Sequence, residues 1–365
     1  MSKDEYTQNH LITYIGNKRK LLNHIENVVK DIKQKLKKDL ITSFDGFSGS
    51  GSVSRLLKYH SSDLIVNDLE EYSYIINSCY LSNPSNEEKQ KINGMIDELN
   101  NLEYTIEGPI SSSYSPKDTY NVQEEERAFY TRENGLIIDT IREKIDTYPG
   151  KYFNYLISPL LVKASINTNT SGVFKGFHKK DGVGHFGGKD EVNTESRITK
   201  KIILDKPVFS DHEHQCDVFI YKKDINVLIN ELPIVDIAYL DPPYNQHPYG
   251  SNYFMLNTIL KNETEKDISK VSGIPKYWNR SEYNYKKSAL ISMKSLISNI
   301  KAKYIIMSYN NEGIITEGQM IDLIEGLKYK YELKKIKYNT YRGSRNLQDR
   351  STMVEEYLWI INKFD

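Results

Sequence analysis

Ile234-Val235-Asp236-Ile237-Ala238-Tyr239-Leu240-Asp241-Pro242-Pro243-Tyr244 is the stretch on which the fold turns. Residues 234–240 make an apolar run of strand length that ends on an acid, and two prolines then bar the ladder from continuing because neither offers a backbone N–H. Three other segments repeat this grammar of short apolar strand, acid at or just past its carboxyl end, then helix: 41–44 into Asp45, 64–66 into Asn67-Asp68, and 218–221 into Asp224. The repetition predicts a parallel α/β sheet with helices on both faces. Ligands of open α/β sheets sit beyond the carboxyl ends of the strands, so Asp45, Asp68, Asp224 and Asp241 should line one crevice.

Working outward, residues 288–300 are helix-compatible and 304–307 form a further apolar strand. Strand-like 331–338 and 354–361 flank the polar, Arg-rich 341–350, as in a C-terminal antiparallel hairpin with a long loop. Between about 84 and 201 the strand-acid-helix grammar stops. That segment is polar, with a helix-compatible 86–99, a Ser/Tyr/Pro loop at 111–120 and a glycine-rich stretch at 172–188. It reads as an insertion into a core formed by 1–83 and 202–365, and loop-rich insertions often carry specificity.

The 49 basic and 49 acidic residues cancel, so the field of the whole molecule selects no polyanion and any nucleic-acid footprint must be local. The only cysteines, Cys79 and Cys216, are far apart and outside any C-x-x-C, which argues against a disulfide framework or a cysteine-rich zinc site and makes a reducing cytoplasm the expected compartment. The start of the chain is polar, and no run of about 18 apolar residues exists, so neither secretion nor membrane spanning is expected. No H-E-x-x-H occurs, His212-Glu213-His214 reads as a solvated loop, and no metal is expected.

Asp45-Gly46-Phe47-Ser48-Gly49-Ser50-Gly51 joins a strand to the helix-compatible 53–59. Its glycines let backbone approach a ligand, and a helix start offers free N–H groups to a carboxylate, although a tight turn with no ligand needs the same residues. Asp68 follows at roughly the ~20-residue interval at which nucleotide-binding folds set an acid on ribose hydroxyls. The position that would complete an NAD fingerprint is Ser54, so adenosylmethionine, which has a ribose and a carboxylate but no pyrophosphate, suits the turn better. Asp241-Pro242-Pro243-Tyr244 suits a flipped adenine: the Asp241 carboxylate and Pro242 carbonyl accept from the exocyclic amine while Tyr244 stacks on the ring.

With Tyr14-Ile15-Gly16-Asn17-Lys18-Arg19 ahead of these motifs, and Asn245 and Tyr249-Gly250-Ser251-Asn252-Tyr253 behind them, the chain resembles the adenine-N6 DNA methyltransferases of the Dam-like class, in the restriction-modification branch. The resemblance implies a Rossmann-like methyltransferase sheet, S-adenosyl-L-methionine as methyl donor, double-stranded DNA as substrate, and 84–201 as an inserted target-recognition region. A cognate restriction endonuclease acting on the same site is the partner such a branch admits. It implies catalytic roles for Asp241, Pro242 and Tyr244 in a direct displacement that needs no cysteine.

For the cofactor it implies Tyr14, Gly16 and Lys18 at the methionine end, with Lys18 paired to the carboxylate. Asp45, Phe47, Gly49 and Gly51 follow in the turn, then Asp68, and Asp224-Ile225 beside the cofactor adenine. Lys18 read alone is equally an exposed basic patch or a DNA phosphate contact. On the DNA side it implies Asn169 and Lys175, within Asn169-Thr170-Ser171-Gly172-Val173-Phe174-Lys175, and Arg342 and Arg345 on phosphates. A turn around a buried Phe174 and an exposed arginine loop explain the same residues. Three rivals stay open: an RNA adenine-N6 methyltransferase, a non-catalytic DNA-binding protein on the same fold, and an NAD-dependent oxidoreductase. Asp rather than Asn at 241, together with the large insertion, favours DNA.

Overall fold

The strands run β1 (Ile41–Asp45), β2 (Ser61–Asp68), the two-residue β3 (Lys179–Lys180) and β4 (Val183–Gly184), β5 (Asp217–Lys222), β6 (Val235–Leu240), β7 (Ala302–Asn310), β8 (Lys330–Asn339) and β9 (Met353–Asn362). They are seen in a computed structural model that describes residues 3–9, 11–187, 197–211, 215–339 and 353–364. β3 and β4 pair only with each other; the other seven form one sheet in the order β5-β2-β1-β6-β7-β9-β8. β5, β2, β1, β6 and β7 are parallel, and β9 and β8 close that edge as the expected antiparallel hairpin. The loop at 341–350 lies outside the described residues.

The sheet is Rossmann-like. The chain enters at β1, winds outward through β2 to β5, and then crosses to β6 and β7 on the other side. The order therefore reverses between β1 and β6, which opens a crevice at their carboxyl ends. Asp45 is the last residue of β1 and Asp241 the first past β6, so the two flank this switch point.

All six residues of β6 are buried, as befits a central parallel strand covered on both faces. Side chains alternate between the faces. Ala238 and Leu240 join Phe44, Ile305 and Met307 under helix α8 (Ala289–Asn299), while Ile237 and Tyr239 join Ile41 and Ile306 under α1 (Leu22–Leu36) and α2 (Ser52–Lys58). α1 was not foreseen, though Leu22, Ile25, Val28, Val29 and Ile32 fall at helical spacing and all are buried.

Asp236, near the start of β6, is buried but satisfied. Its carboxylate accepts from Lys38 Nζ at 2.9 and 2.7 Å and from the Thr42 amide at 3.0 Å, and pairs with Lys303 at 2.9 Å. Burial opposes ionisation, yet the two ammoniums hold its carboxyl below the ordinary range. Asp236→Ala is expected to cost about 1–3 kcal/mol, read as a lower urea midpoint, because it leaves a buried donor unmatched. The wild-type advantage is present above the normal carboxylate pKa and vanishes as pH falls through the lowered one.

The 84–201 segment is more helical than its sequence reading. α4 (Asn86–Asn100) matches the expected helix and is closed by a capping box of Ser85 and Glu88. α5 (Arg132–Ile145) and α6 (Phe153–Ile166) were not foreseen, although Ile137, Ile138, Ile141 and Ile145 mark a buried helical stripe. The stretch expected as a loop at 111–120 begins inside a helical turn, Pro109–Ser113. There the buried Asp139 of α5 accepts from the amides of Gly108, Ile110 and Ser111 at 3.0, 3.0 and 2.7 Å. These helices share one apolar core with α3 (Glu71–Tyr80) and α7 (Phe254–Lys261), so the segment is packed onto the sheet domain.

Candidate active site

The turn after β6 is held from two sides: the Ile314 amide donates to the Tyr244 carbonyl at 2.9 Å and Asn284 Nδ2 to the Asn245 carbonyl at 2.8 Å. Thus fixed, Asp241 meets Lys18, whose Nζ lies 3.0 Å from Asp241 Oδ1, 3.2 Å from Glu356 Oε1 and 3.1 Å from the Gly16 carbonyl. Lys18 is only 4% exposed. Burial pushes the Asp241 carboxyl up to about 6, with Lys18 pulling it down and Glu356 pushing it further up. Lys18 Nζ also sits 5.9 Å above the Tyr244 ring, which meets Tyr309 edge-on at 6.2 Å.

The glycine turn is clasped by Asp68. Its Oδ2 accepts from the Gly49 amide at 2.7 Å and its Oδ1 from the Glu70 amide at 2.9 Å. Asp45 Oδ2 accepts from Ser54 Oγ at 2.6 Å, whereas Asp45 Oδ1 is buried without a hydrogen-bond partner. Burial raises the Asp45 carboxyl to about 7, and the Asp241 and Asp68 carboxylates add to the effect.

Between these elements opens a cleft of about 690 Å³, lined by Tyr14, Gly16, Phe47, Gly49, Asp68, Asp224, Ile225 and Asp241 among others. A smaller hollow of about 290 Å³ adjoins it, lined by Tyr14, Gly16, Lys18, Asp45, Gly49 and Asp241 among others. Tyr14 stacks with Tyr249, at 4.9 Å and 13°, and with Tyr253, at 4.8 Å and 19°, and those two rings lie 6.0 Å apart. Gly16, at φ +77°, fills a space where a Cβ would come within 3.3 Å of Tyr249 Oη and 3.4 Å of Tyr244 Oη.

Residues 14–323 match the D12 class N6 adenine-specific DNA methyltransferase family. The chain belongs to that family. The type II methyltransferase M.CviAII of Paramecium bursaria Chlorella virus 1 is 31% identical over 96% of this chain and 98% of its own length. M.NlaIII of Neisseria lactamica is 30% identical over 96% of this chain and 99% of its own length. The modification methylase StsI of Streptococcus sanguinis is 28% identical, with this chain spanning 52% of it. The protein is a site-specific DNA adenine-N6 methyltransferase.

Three of the expected site residues of this D12 methyltransferase are engaged by the protein's own groups. Lys18 is not an exposed patch: it is buried, and its Nζ faces Asp241, Glu356 and the Gly16 carbonyl. Gly51 lines neither cavity. It adopts φ +74° at the start of α2, and a Cβ there would lie 2.3 Å from Asn77 Oδ1, so its absent side chain serves helix packing. Asn169 is fully buried, its Nδ2 donating to the carbonyls of Ala128 at 2.8 Å and His185 at 3.0 Å, so its side chain ties a turn together. Phe174 is buried too.

Of the remaining expectations, Lys175 is exposed with Nζ 3.2 Å from His247 Nδ1, just past the Asp241–Tyr244 motif. Pro242 is buried, and Pro243 is the proline that lines the cleft. Asp224 caps the short helix Ile225–Leu228 by accepting from the Asn226 amide at 2.8 Å. Arg342, Arg345 and His212-Glu213-His214 lie outside the described residues. The sequence reading missed Glu356 and Glu70. Glu356 is an acid within an otherwise strand-like run. Glu70, 3% exposed and lining the cleft, accepts from Asn257 Nδ2 at 3.2 Å, and burial raises its carboxyl to about 8. No helix among the described residues is long and apolar enough to cross a membrane.

Proposed function

We propose that this D12 methyltransferase draws its methyl group from S-adenosyl-L-methionine bound in the 690 Å³ cleft and acts on double-stranded DNA as the modification enzyme of a restriction-modification pair. The observation that carries the cofactor assignment is the unpartnered, buried Asp45 Oδ1 in the hollow that adjoins the cleft, beside Asp241, while Asp68, Glu70 and Asp224 line the cleft itself. Burial makes ionising the carboxyls of Asp45, Asp68, Glu70 and Asp241 costly, and a ligand with net positive charge would offset that cost. Adenosylmethionine, with a sulfonium and an ammonium against one carboxylate, is such a ligand, and when bound it supplies an electrophilic methyl group.

In this reading Asp45, Gly49 and Tyr14 hold the amino-acid end, Asp68 and Glu70 the ribose, and Asp224 and Ile225 the adenine. Asp241 accepts an N–H of the target amine, aims its lone pair and stabilises the positive charge that develops on nitrogen. Tyr244 offers its ring to the flipped base. Lys175 meets the DNA beside the mouth of the site. The 84–201 segment supplies target recognition, supported by its position outside the strand-acid-helix repeat.

Purified protein is expected to move a labelled methyl group from adenosylmethionine to adenine N6 of duplex DNA in excess EDTA. Asp68→Ala should weaken adenosylmethionine binding by about 1–3 kcal/mol in calorimetry. Label confined to RNA or cytosine would reject the acceptor, and wild-type affinity in the Asp68 variant would reject the nucleoside placement.

A further inference from the structure

The pair of buried Lys18 and partly buried Asp241 has a third member from the far end of the chain. The antiparallel pairing of β9 with β7 sets Glu356 opposite Asn310 and brings its carboxylate into the site beneath the cleft. Glu356 is 1% exposed and accepts from Ser308 Oγ of β7 at 2.5 Å, while its Oε1 lies 3.2 Å from Lys18 Nζ, nearly the same as the 3.0 Å from Nζ to Asp241. A buried acid in a strand carries a desolvation cost, and replacing it with an apolar residue would remove that cost. Its place beside the cation that, among the described residues, pairs with Asp241 gives it a use.

We propose that Glu356 is a positioning residue for methyl transfer: by sharing Lys18 with Asp241, it prevents the ammonium from neutralising the Asp241 carboxylate, which thereby keeps its capacity to accept the target amine. With Lys18 committed to Asp241 alone the two would form a closed neutral pair, and a carboxylate so engaged is a weaker acceptor. With Glu356 present, one positive charge serves two carboxylates and the group retains net negative charge where positive charge develops on the amine.

The other groups around Asp241 do not supply this. Asp45 at the end of β1 is itself a carboxyl raised by burial; Tyr239 of β6, Tyr244 and Tyr249 are phenols whose ionisation burial suppresses. Glu356 is accordingly one of the causes that raise the Asp241 carboxyl. The inference rests on Asp241 as the acceptor of the amine.

The test is the pH dependence of single-turnover methylation, using genomic DNA free of N6-methyladenine and saturating adenosylmethionine. Glu356→Gln is expected to slow transfer at neutral pH about tenfold and to move the acid limb down by roughly half to one pH unit, since Lys18 then bears on Asp241 alone. Cofactor affinity should stay within about twofold of wild type. Glu356→Asp, which keeps the charge, should recover part of the rate with the limb near its wild-type position.

Ser308→Ala is small enough to preserve the strand pairing if Glu356→Gln does not fold. Losing the hydroxyl that competes for Glu356 should tighten the Lys18–Glu356 pair and move the limb upward. A limb that stays in place in both variants, or moves in the same direction in both, overturns the proposal. Asp241→Asn separates the two levels: if it retains wild-type turnover, the underlying reading of Asp241 fails, whereas a dead Asp241→Asn beside an unshifted Glu356→Gln rejects only the role of Glu356.

Discussion

Replacing Asp241 with alanine is expected to slow single-turnover methyl transfer by at least about 10²-fold while leaving the fold and most of the adenosylmethionine affinity intact. The separation follows from the geometry. Asp241 faces the cleft from the β6 end, but the turn, Asp45, Asp68, Asp224 and Ile225 come from β1, β2 and the loop after β5, and none depends on the Asp241 side chain for its position. Structure should survive because Lys18 keeps Glu356 as its counter-ion at 3.2 Å, so no buried cation is stranded. Tyr244→Ala should also lose transfer, through the stacking platform worth about 1–3 kcal/mol per base, whereas Tyr244→Phe keeps the ring and most of the rate. Transfer assays beside calorimetry and 2-aminopurine fluorescence at the target base read the three steps apart. Loss of cofactor binding in parallel with turnover in Asp241→Ala would sink the division of labour.

Lys18→Met should be the most destabilising single change at the site, by about 3–5 kcal/mol near neutral pH, because it leaves the buried Glu356 carboxylate and the partly buried Asp241 carboxylate without the cation they share. The pH dependence distinguishes this cause from a packing defect. Asp241 already titrates at about 6 with Lys18 pulling it down. Without Lys18 that pull is gone and its pKa rises further above the unfolded carboxylate value. Stability from a raised acid is fully present below the unfolded pKa and is lost as pH rises through the folded one. The variant should therefore regain stability as pH is lowered from about 8 toward 5, when a proton on the carboxyl pair replaces the missing charge. Urea midpoints across that range, compared with wild type, provide the check; a deficit independent of pH would point to lost packing instead.

The linear order of residues determined the architecture and most of the cleft. Three strand-acid-helix units and a fourth strand ending on Asp241 fixed a parallel sheet and set Asp45, Asp68, Asp224 and Asp241 at or past carboxyl strand ends, where the switch point gathers them. Both facts are local: apolar alternation makes the strands, and two prolines stop β6 at Asp241. Tertiary structure decided what such local signals do not encode. α5 and α6 were obscured because their flanks are polar, and their apolar stripes become meaningful only against α3 and α7. Asn169 has the chemistry of a DNA contact, but the carbonyls of Ala128 and His185 bury it.

Lys18 and Glu356 show the division most sharply. Lys18 stood in a basic triplet that reads as surface, and Glu356 in one strand of a C-terminal hairpin. Only the pairing of β9 against β7 brings an acid from the end of the chain to a lysine near its start, beside Asp241. A sequence fixes which groups are available. How much charge each carries in the site depends on burial and on neighbours hundreds of residues away, which are set by the fold.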